Sequence, residues 1–220
     1  MCGRFALHHA TAEVSEYFGV EHLSIELTPR YNIAPTQPVA VVRQRGVRRL
    51  DACKWGLVPS WAKDPKIGNR MINARAETLA EKPAFKNALK RRRCLIPASG
   101  FYEWRQEGEE RFPTYIHPRD ESLLALAGLW EEWQSPEGEQ LLSCTILTTG
   151  ANAFMSAIHT RMPVILPPVA REAWLDSATQ ELEPLLALLQ PLAGDDLAAH
   201  TVGRQVNTAA FDAPSCIQPV

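Results

Sequence analysis

The chain has 220 residues with 45% apolar and 22% charged side chains, a globular balance that excludes a disordered or low-complexity protein. At this length a fold buries roughly 70% of the surface its open chain would expose, so no disulfide or metal staple is required. Lys and Arg number 23 against 25 Asp and Glu, a net charge of −2 that excludes a globally basic nucleic-acid binder but not a local basic patch.

The opening MCGRFALHHA lacks the basic flank and apolar stretch of a signal peptide, and no run of about 18 apolar residues follows, so a cytoplasmic protein without a membrane span is expected. Thr11–Phe18 reads as a short helix capped by Thr11, with Val14, Tyr17 and Phe18 on one face. Residues 29–38 carry three prolines and read as a rigid, irregular loop. Residues 38–43 and 47–55 read as a hairpin, followed by the aromatic loop WGLVPSWAKD. Residues 83–93 read as a helix whose last turn holds Lys90, Arg91, Arg92 and Arg93. That basic run either suits the helix C-terminus or forms a phosphate-contacting patch.

Short apolar segments at 94–98, 101–105, 112–117, 123–133 and 140–148 then predict a mostly antiparallel sheet. Helical stretches at 151–157, 170–176 and 181–192 and a strand near 200–206 complete the chain. With no repeat or linker, the reading is one α+β domain over residues 1–220, a mostly antiparallel β-sheet core flanked by helices.

Dinucleotide, phosphate-loop, zinc-protease and nucleophile-elbow motifs are all missing. The six histidines have no carboxylate or cysteine at ligand spacing, and the five cysteines (Cys2, Cys53, Cys94, Cys144, Cys216) form no CxxC pair, so neither a metal nor a cofactor is expected. The unusual feature is Cys2 followed by Gly3. Loss of Met1 would leave one residue bearing both an α-amine, with a reference pKa of about 7.7–8.0, and a thiol near about 8.5. With an aldehyde such a pair closes a five-membered thiazolidine, which an internal cysteine cannot do. The bland alternative is a buried second residue.

MCGRF at the start, RYNIAPTQ (30–37), WGLVPSW (55–61), INARAET (72–78), FYEW (101–104), LTTGAN (147–152) and IHTRMP (158–163) occur in that order. Together they resemble the SOS-response-associated peptidase family, whose members shield abasic sites in single-stranded DNA by covalent crosslinking. The similarity runs through to the IQPV ending. By that resemblance Cys2 is the crosslinking residue, and Asn73, Glu103 and His159 are polar residues of the same pocket. Glu103 and His159 suit an acid/base pair that opens the closed sugar, and Asn73 offers an uncharged donor and acceptor. The aromatic neighbours Phe101, Tyr102 and Trp104 are surroundings that raise a carboxyl pKa.

The resemblance further implies phosphate contacts from Arg4, Arg75 and Arg161, stacking or wedging by Trp61 and Pro35, and hydroxyl contacts from Thr148 and Thr149. Taken singly, each of these residues has an ordinary structural reading as a core, strand or turn residue. The expected partner is single-stranded DNA with an abasic site, bound by a monomer that joins the nucleoid when on DNA, with self-removal of Met1 and lyase-type cleavage as associated activities. Two positions depart from the family's pattern: Ala62 stands where some relatives carry a second tryptophan, and Thr160 where some carry an acidic residue. A competing reading is an N-terminal-nucleophile hydrolase of the glutamine amidotransferase kind, which also begins Met-Cys-Gly but has further motifs not visible here.

Overall fold

The computed structural model describes residues 2–193 and 196–220. In chain order the elements are β1 (Phe5–Leu7), α1 (Thr11–Phe18), β2 (His22–Leu23), β3 (Arg30–Ile33), β4 (Pro38–Arg45), β5 (Val47–Trp55) and β6 (Asn73–Arg75). Then follow α2 (Pro83–Arg91), β7 (Arg93–Ala98), β8 (Gly100–Glu107), β9 (Glu110–Pro118), β10 (Leu124–Gln134) and β11 (Gln140–Gly150). Last come α3 (Ala153–Ser156), β12 (Arg161–Pro163), α4 (Pro168–Leu175), α5 (Leu182–Ala187) and β13 (Leu197–Thr201). The fold is α+β with mostly antiparallel strands, as the alternation of short apolar runs and turn residues predicts.

The strands form two sheets. One runs β13-β9-β8-β1-β3, antiparallel throughout. The other runs β12-β11-β10-β7-β4-β5-β2, with β6 added beside β11. The end of β5 also pairs parallel to β11, Lys54 opposite Ser143 and Trp55 opposite Cys144. This pairing closes β5-β4-β7-β10-β11 into a ring, which removes the open edges a sheet of this size would otherwise expose.

Period-two alternation fixes what each sheet buries. Phe5 and Leu7 on β1 and Phe101 on β8 face the large core shared with the ring. Ala6 and Tyr102 face the other way and are covered with Tyr115, Val202, Val206 and Cys216. Hence Glu103, two residues beyond Phe101, points into the seam between the sheets.

Several local expectations are corrected. Residues 30–33 form β3 rather than an irregular loop: Ile33 pairs with Phe5 and Arg30 with Leu7. Proline removes only its own N–H, so the Pro-free stretch between Pro29 and Pro35 is free to pair. The irregular part shrinks to residues 34–37, where Thr36 takes a positive φ of 70°. Thr11 lies inside α1 and does not cap it. Its hydroxyl donates to Glu26 (2.7 Å) and accepts from Leu27 N–H (2.8 Å), while Glu13 reaches back to the Ala10 N–H at 2.7 Å. Of the basic run, Arg93 leaves α2, opens β7 and turns its guanidinium back to the Leu89 and Lys90 carbonyls at 2.8 and 2.7 Å, satisfying the orphaned helix end. Arg92 pairs with Glu131 at 2.8 Å. The last strand ends at Thr201, and residues 204–207 are a 3-10 turn instead of its continuation.

Candidate active site at the seam of the two sheets

Cys2 precedes β1 and is fully buried. Its thiol lies 3.9 Å from the Arg4 carbonyl, and its own carbonyl accepts from Asn73 Nδ2 at 2.8 Å. Asn73 opens β6, which is laid parallel to β11 with Asn73 opposite Ile146. The Asn73 Oδ1 is buried and accepts no hydrogen bond among the described residues. A buried amide acceptor left open in this way is able to receive an N–H or O–H that arrives with a ligand. Burial pushes the Cys2 thiol up, and the charge of Glu103 adds to that push.

Glu103 comes from β8, opposite Thr114 of β9, and is only 3% exposed. Burial raises its carboxyl above the ordinary range, and the facing His159 charge works against that rise. His159 Nε2 lies 4.0 Å from Glu103 Oε2. On its other side His159 Nδ1 accepts from the Arg161 N–H at 2.9 Å. The Arg161 carbonyl also faces Nδ1, at 3.2 Å, and the shorter N–H contact favours the neutral form with an accepting Nδ1 and its proton on Nε2, toward Glu103. Glu103, His159 and Thr160 line a cavity of about 450 Å³ with Trp104, Gln106, Arg111 and Ile158. A larger cavity of about 580 Å³, lined by Arg45, Arg92, Trp130 and Glu131, touches none of the four seam residues.

The structure thus gathers at one seam Cys2 with Asn73, and Glu103 with His159, from four separate segments. Met1, on which unmasking of the amine depends, lies outside the described residues. The residues read as nucleic-acid contacts divide into two groups. Trp61 is 60% exposed and Arg75, at the end of β6, is exposed, while Pro35 is half-buried. Arg4 turns inward, its guanidinium donating to Asn32 Oδ1 (2.7 Å) and to the Val206 and Asn207 carbonyls (2.5 and 3.2 Å). Thr148 and Thr149 are buried in β11. Arg161 forms a two-pronged ion pair with Glu77 at 2.6 and 3.0 Å and also donates to Thr148. Ala62 is buried with Val58 and Trp133, and its carbonyl accepts from Trp133 Nε1 at 2.7 Å, so the place of a second tryptophan is used for packing.

Two residues of this region escaped the sequence. Arg111 brings a cation to the Glu103 cavity from β9, and nothing in its neighbourhood signals that. Glu77 does have a signal, its place inside INARAET. Among the described residues no group of three or more His, Cys, Asp or Glu side chains could hold a metal ion, and every described cysteine is a free thiol. No described helix is long and apolar enough to cross a membrane.

An asparagine amide bonded to the Cys2 backbone, and a buried carboxyl facing a partly exposed imidazole, lie together where a ring of strands meets an open sheet. This chain belongs to the SRAP family, SOS response associated peptidase (SRAP), whose pattern matches residues 1–209. It is 43% identical over 222 residues to the abasic site processing protein YoqW of Bacillus subtilis (strain 168), covering 99% of both chains. It is 35% identical over 225 residues to the abasic site processing protein HMCES of Gallus gallus, covering 87% of this chain and 66% of the relative. A crystal structure of a protein from Bacteroides thetaiotaomicron superposes with a TM-score of 0.90 at 25% identity, over 100% of both chains.

Proposed function

We propose that this protein processes abasic sites in single-stranded DNA by capturing the open sugar covalently on Cys2. The observation that carries this reading is the Asn73 amide holding Cys2 at 2.8 Å beside buried Glu103 and the His159 that faces it. The family membership and the names of its relatives supply the substrate class.

Hydrolysis of the Met1–Cys2 bond, by the site itself or by an aminopeptidase, frees the Cys2 amine. The abasic sugar is largely a closed hemiacetal, and ring opening moves one proton off its hydroxyl and one onto the ring oxygen. Glu103, whose raised pKa lets it exist as the acid, and His159 serve those two transfers. The amine adds to the aldehyde carbon and the adduct loses water to give an imine. The sulfur then adds to the imine carbon, the thiol proton ends on nitrogen, and the thiazolidine is closed with a net loss of one water. Because burial keeps the Cys2 thiol protonated, this last step needs a base, and ionised Glu103 is the group whose charge reaches the sulfur. The same imine acidifies the neighbouring sugar C–H, which gives lyase-type strand cleavage as a side path.

A single copy carries all four residues, so the reading requires only a monomer. Exposed Trp61 offers a stacking surface that reads no particular base, and Arg75 offers a phosphate contact. Pro35, Arg161 and the more enclosed Arg4, Thr148 and Thr149 complete the proposed DNA-facing set.

Denaturing intact-mass spectrometry of the protein with a single-stranded oligonucleotide bearing one abasic site tests the reading. The expected species is protein lacking Met1 plus DNA less one water, absent in Cys2→Ala. Processed protein that forms no adduct would overturn covalent capture, and ammonia release from glutamine by that same protein would replace it with amide hydrolysis.

A further inference from the structure

We propose that Glu77 is a positioning residue of this site: through Arg161 it braces the Asn73 strand against the His159 loop and fixes the His159 tautomer. The proposal deepens the reading above, and its catalytic consequence rests on that reading.

Glu77 lies in the 3-10 turn Ala76–Thr78, directly after β6 and on the segment that carries Asn73. Both of its carboxylate oxygens accept from Arg161, Oε1 from Nη1 at 2.6 Å and Oε2 from Nη2 at 3.0 Å. Nη2 also donates to the Thr148 carbonyl at 2.8 Å, and Thr148 is paired with Arg75 across β11 and β6. Arg161 opens β12 two residues after His159, and its N–H and carbonyl both face His159 Nδ1, at 2.9 and 3.2 Å. One guanidinium therefore ties three segments together: the β6 turn, β11 and the loop of the imidazole.

Electrostatics keep the brace set. Hydrogen bonding from Arg161 holds the Glu77 carboxyl below its usual range, against a smaller opposing effect of burial, so it stays ionised at neutral pH. Arg161 Nε is buried without a hydrogen-bond partner, so the Nη atoms carry the orientation of the whole group. The pair is half open to water on the Glu77 side, which limits its worth to global stability. Its value is directional, since a planar fork on a carboxylate has one geometry. Without Glu77 the guanidinium keeps only its Thr148 contacts, and the balance at His159 Nδ1 between the Arg161 N–H (2.9 Å) and the Arg161 carbonyl (3.2 Å) is left to the Gly150–Arg161 pairing of β11 with β12. Between Arg161 and His159, the Thr160 carbonyl accepts from the Ala151 N–H at 3.1 Å.

Nitrogen-15 NMR of the His159 ring, in protein without DNA, reads the brace directly. Wild type is expected to show an unprotonated, accepting Nδ1 and a protonated Nε2. Glu77→Ala is expected to show a mixture of tautomers, and Glu77→Gln, which keeps one acceptor, an intermediate pattern. In single-turnover crosslinking, Glu77→Ala should lower the maximal rate about tenfold while moving the half-saturating DNA concentration less than about twofold, as loss of alignment does. An unchanged tautomer in Glu77→Ala overturns the proposal. Tighter DNA binding at an unchanged maximal rate also overturns it, because Glu77 would then be competing with phosphate for Arg161. If wild-type protein forms no adduct, the covalent reading fails while the tautomer comparison still judges the brace.

Discussion

Inside the ring, Cys94 and Cys144 are fully buried and burial drives both thiols far up, with each also feeling the charge of Cys53, itself pushed up to about 12. At the seam, Cys2 is equally buried, and burial raises its thiol in the same direction. Thiol acidity in the folded chain therefore does not separate the three. What separates them is company: Trp174 Nε1 donates to the Cys94 carbonyl within an apolar wall, whereas Asn73 and Glu103 attend Cys2. The ring has an open polar atom of its own, Thr145 Oγ1 of β11, which is buried without a hydrogen-bond partner among the described residues. The seam leaves an acceptor on Asn73 open and keeps a carboxyl where ionisation is unfavourable. The seam differs in combining an open amide acceptor and a buried carboxyl beside one cysteine, rather than in a reactive group in isolation.

The largest expected effect breaks the ring. Trp174 on α4 is fully buried, and Arg93 lies over its face with the guanidinium carbon 5.8 Å from the ring centre. Trp174→Ala removes that packing and the bond to the Cys94 carbonyl, and should cost about 3–5 kcal/mol in urea unfolding. A loss below about 1 kcal/mol would mean that α4 packs on the ring without supporting it.

The buried carboxylates sharpen the contrast through opposite responses to pH. Burial opposes ionisation of Asp51, but hydrogen bonds from Arg43 (2.6 Å) and its charge win, so the folded pKa lies below the unfolded one. Its stabilisation is present above about pH 4, the unfolded Asp range, and is lost as pH falls through the folded value. Asp51→Asn should therefore cost about 2 kcal/mol at pH 7 and progressively less in acid. Glu103 has the reverse sign. Its folded pKa lies above the unfolded value of about 4.3, so wild-type stability declines as pH rises from there through the folded value. Glu103→Gln should unfold at the same or higher urea concentration than wild type at pH 7, with that decline flattened. A Glu103→Gln protein less stable at pH 7 than at pH 4.5, by as much as wild type, would assign the decline to another group.

How far the sequence reaches follows the same division. The α1 boundaries and the β4–β5 hairpin were legible because periodicity and the Gly46 turn, at φ 80°, are local signals. Ring closure by Trp55 and Cys144 was not, because a parallel pairing between distant segments leaves no trace in either one. The four seam residues were readable through their motifs. The direction of Arg4 was hidden, since its acceptors Asn32 and Val206 come from remote parts of the chain. Strand β3 was masked by flanking prolines whose restriction does not reach the residues between them.

The smallest expected effect on stability belongs to Trp61, and its smallness is what makes it informative. Its indole is mostly in water, while the loop beneath is held by other means: Ala62 packs on Trp133, and Gly56 and Gly68 approach so closely that a Cβ on Gly56 would meet the Gly68 oxygen at 2.6 Å. Trp61→Ala should change the unfolding free energy by less than about 0.5 kcal/mol. An exposed aromatic on a rigid loop is costly to keep in water unless something stacks on it. If unpaired bases do, the variant should bind a single-stranded oligonucleotide about 1–3 kcal/mol more weakly, measured with Cys2→Ala so that no covalent adduct forms. The weakening should be independent of base sequence and leave the salt slope unchanged, because stacking displaces no counterions. A reduced salt slope would instead make Trp61 a support for a neighbouring cation such as Arg75.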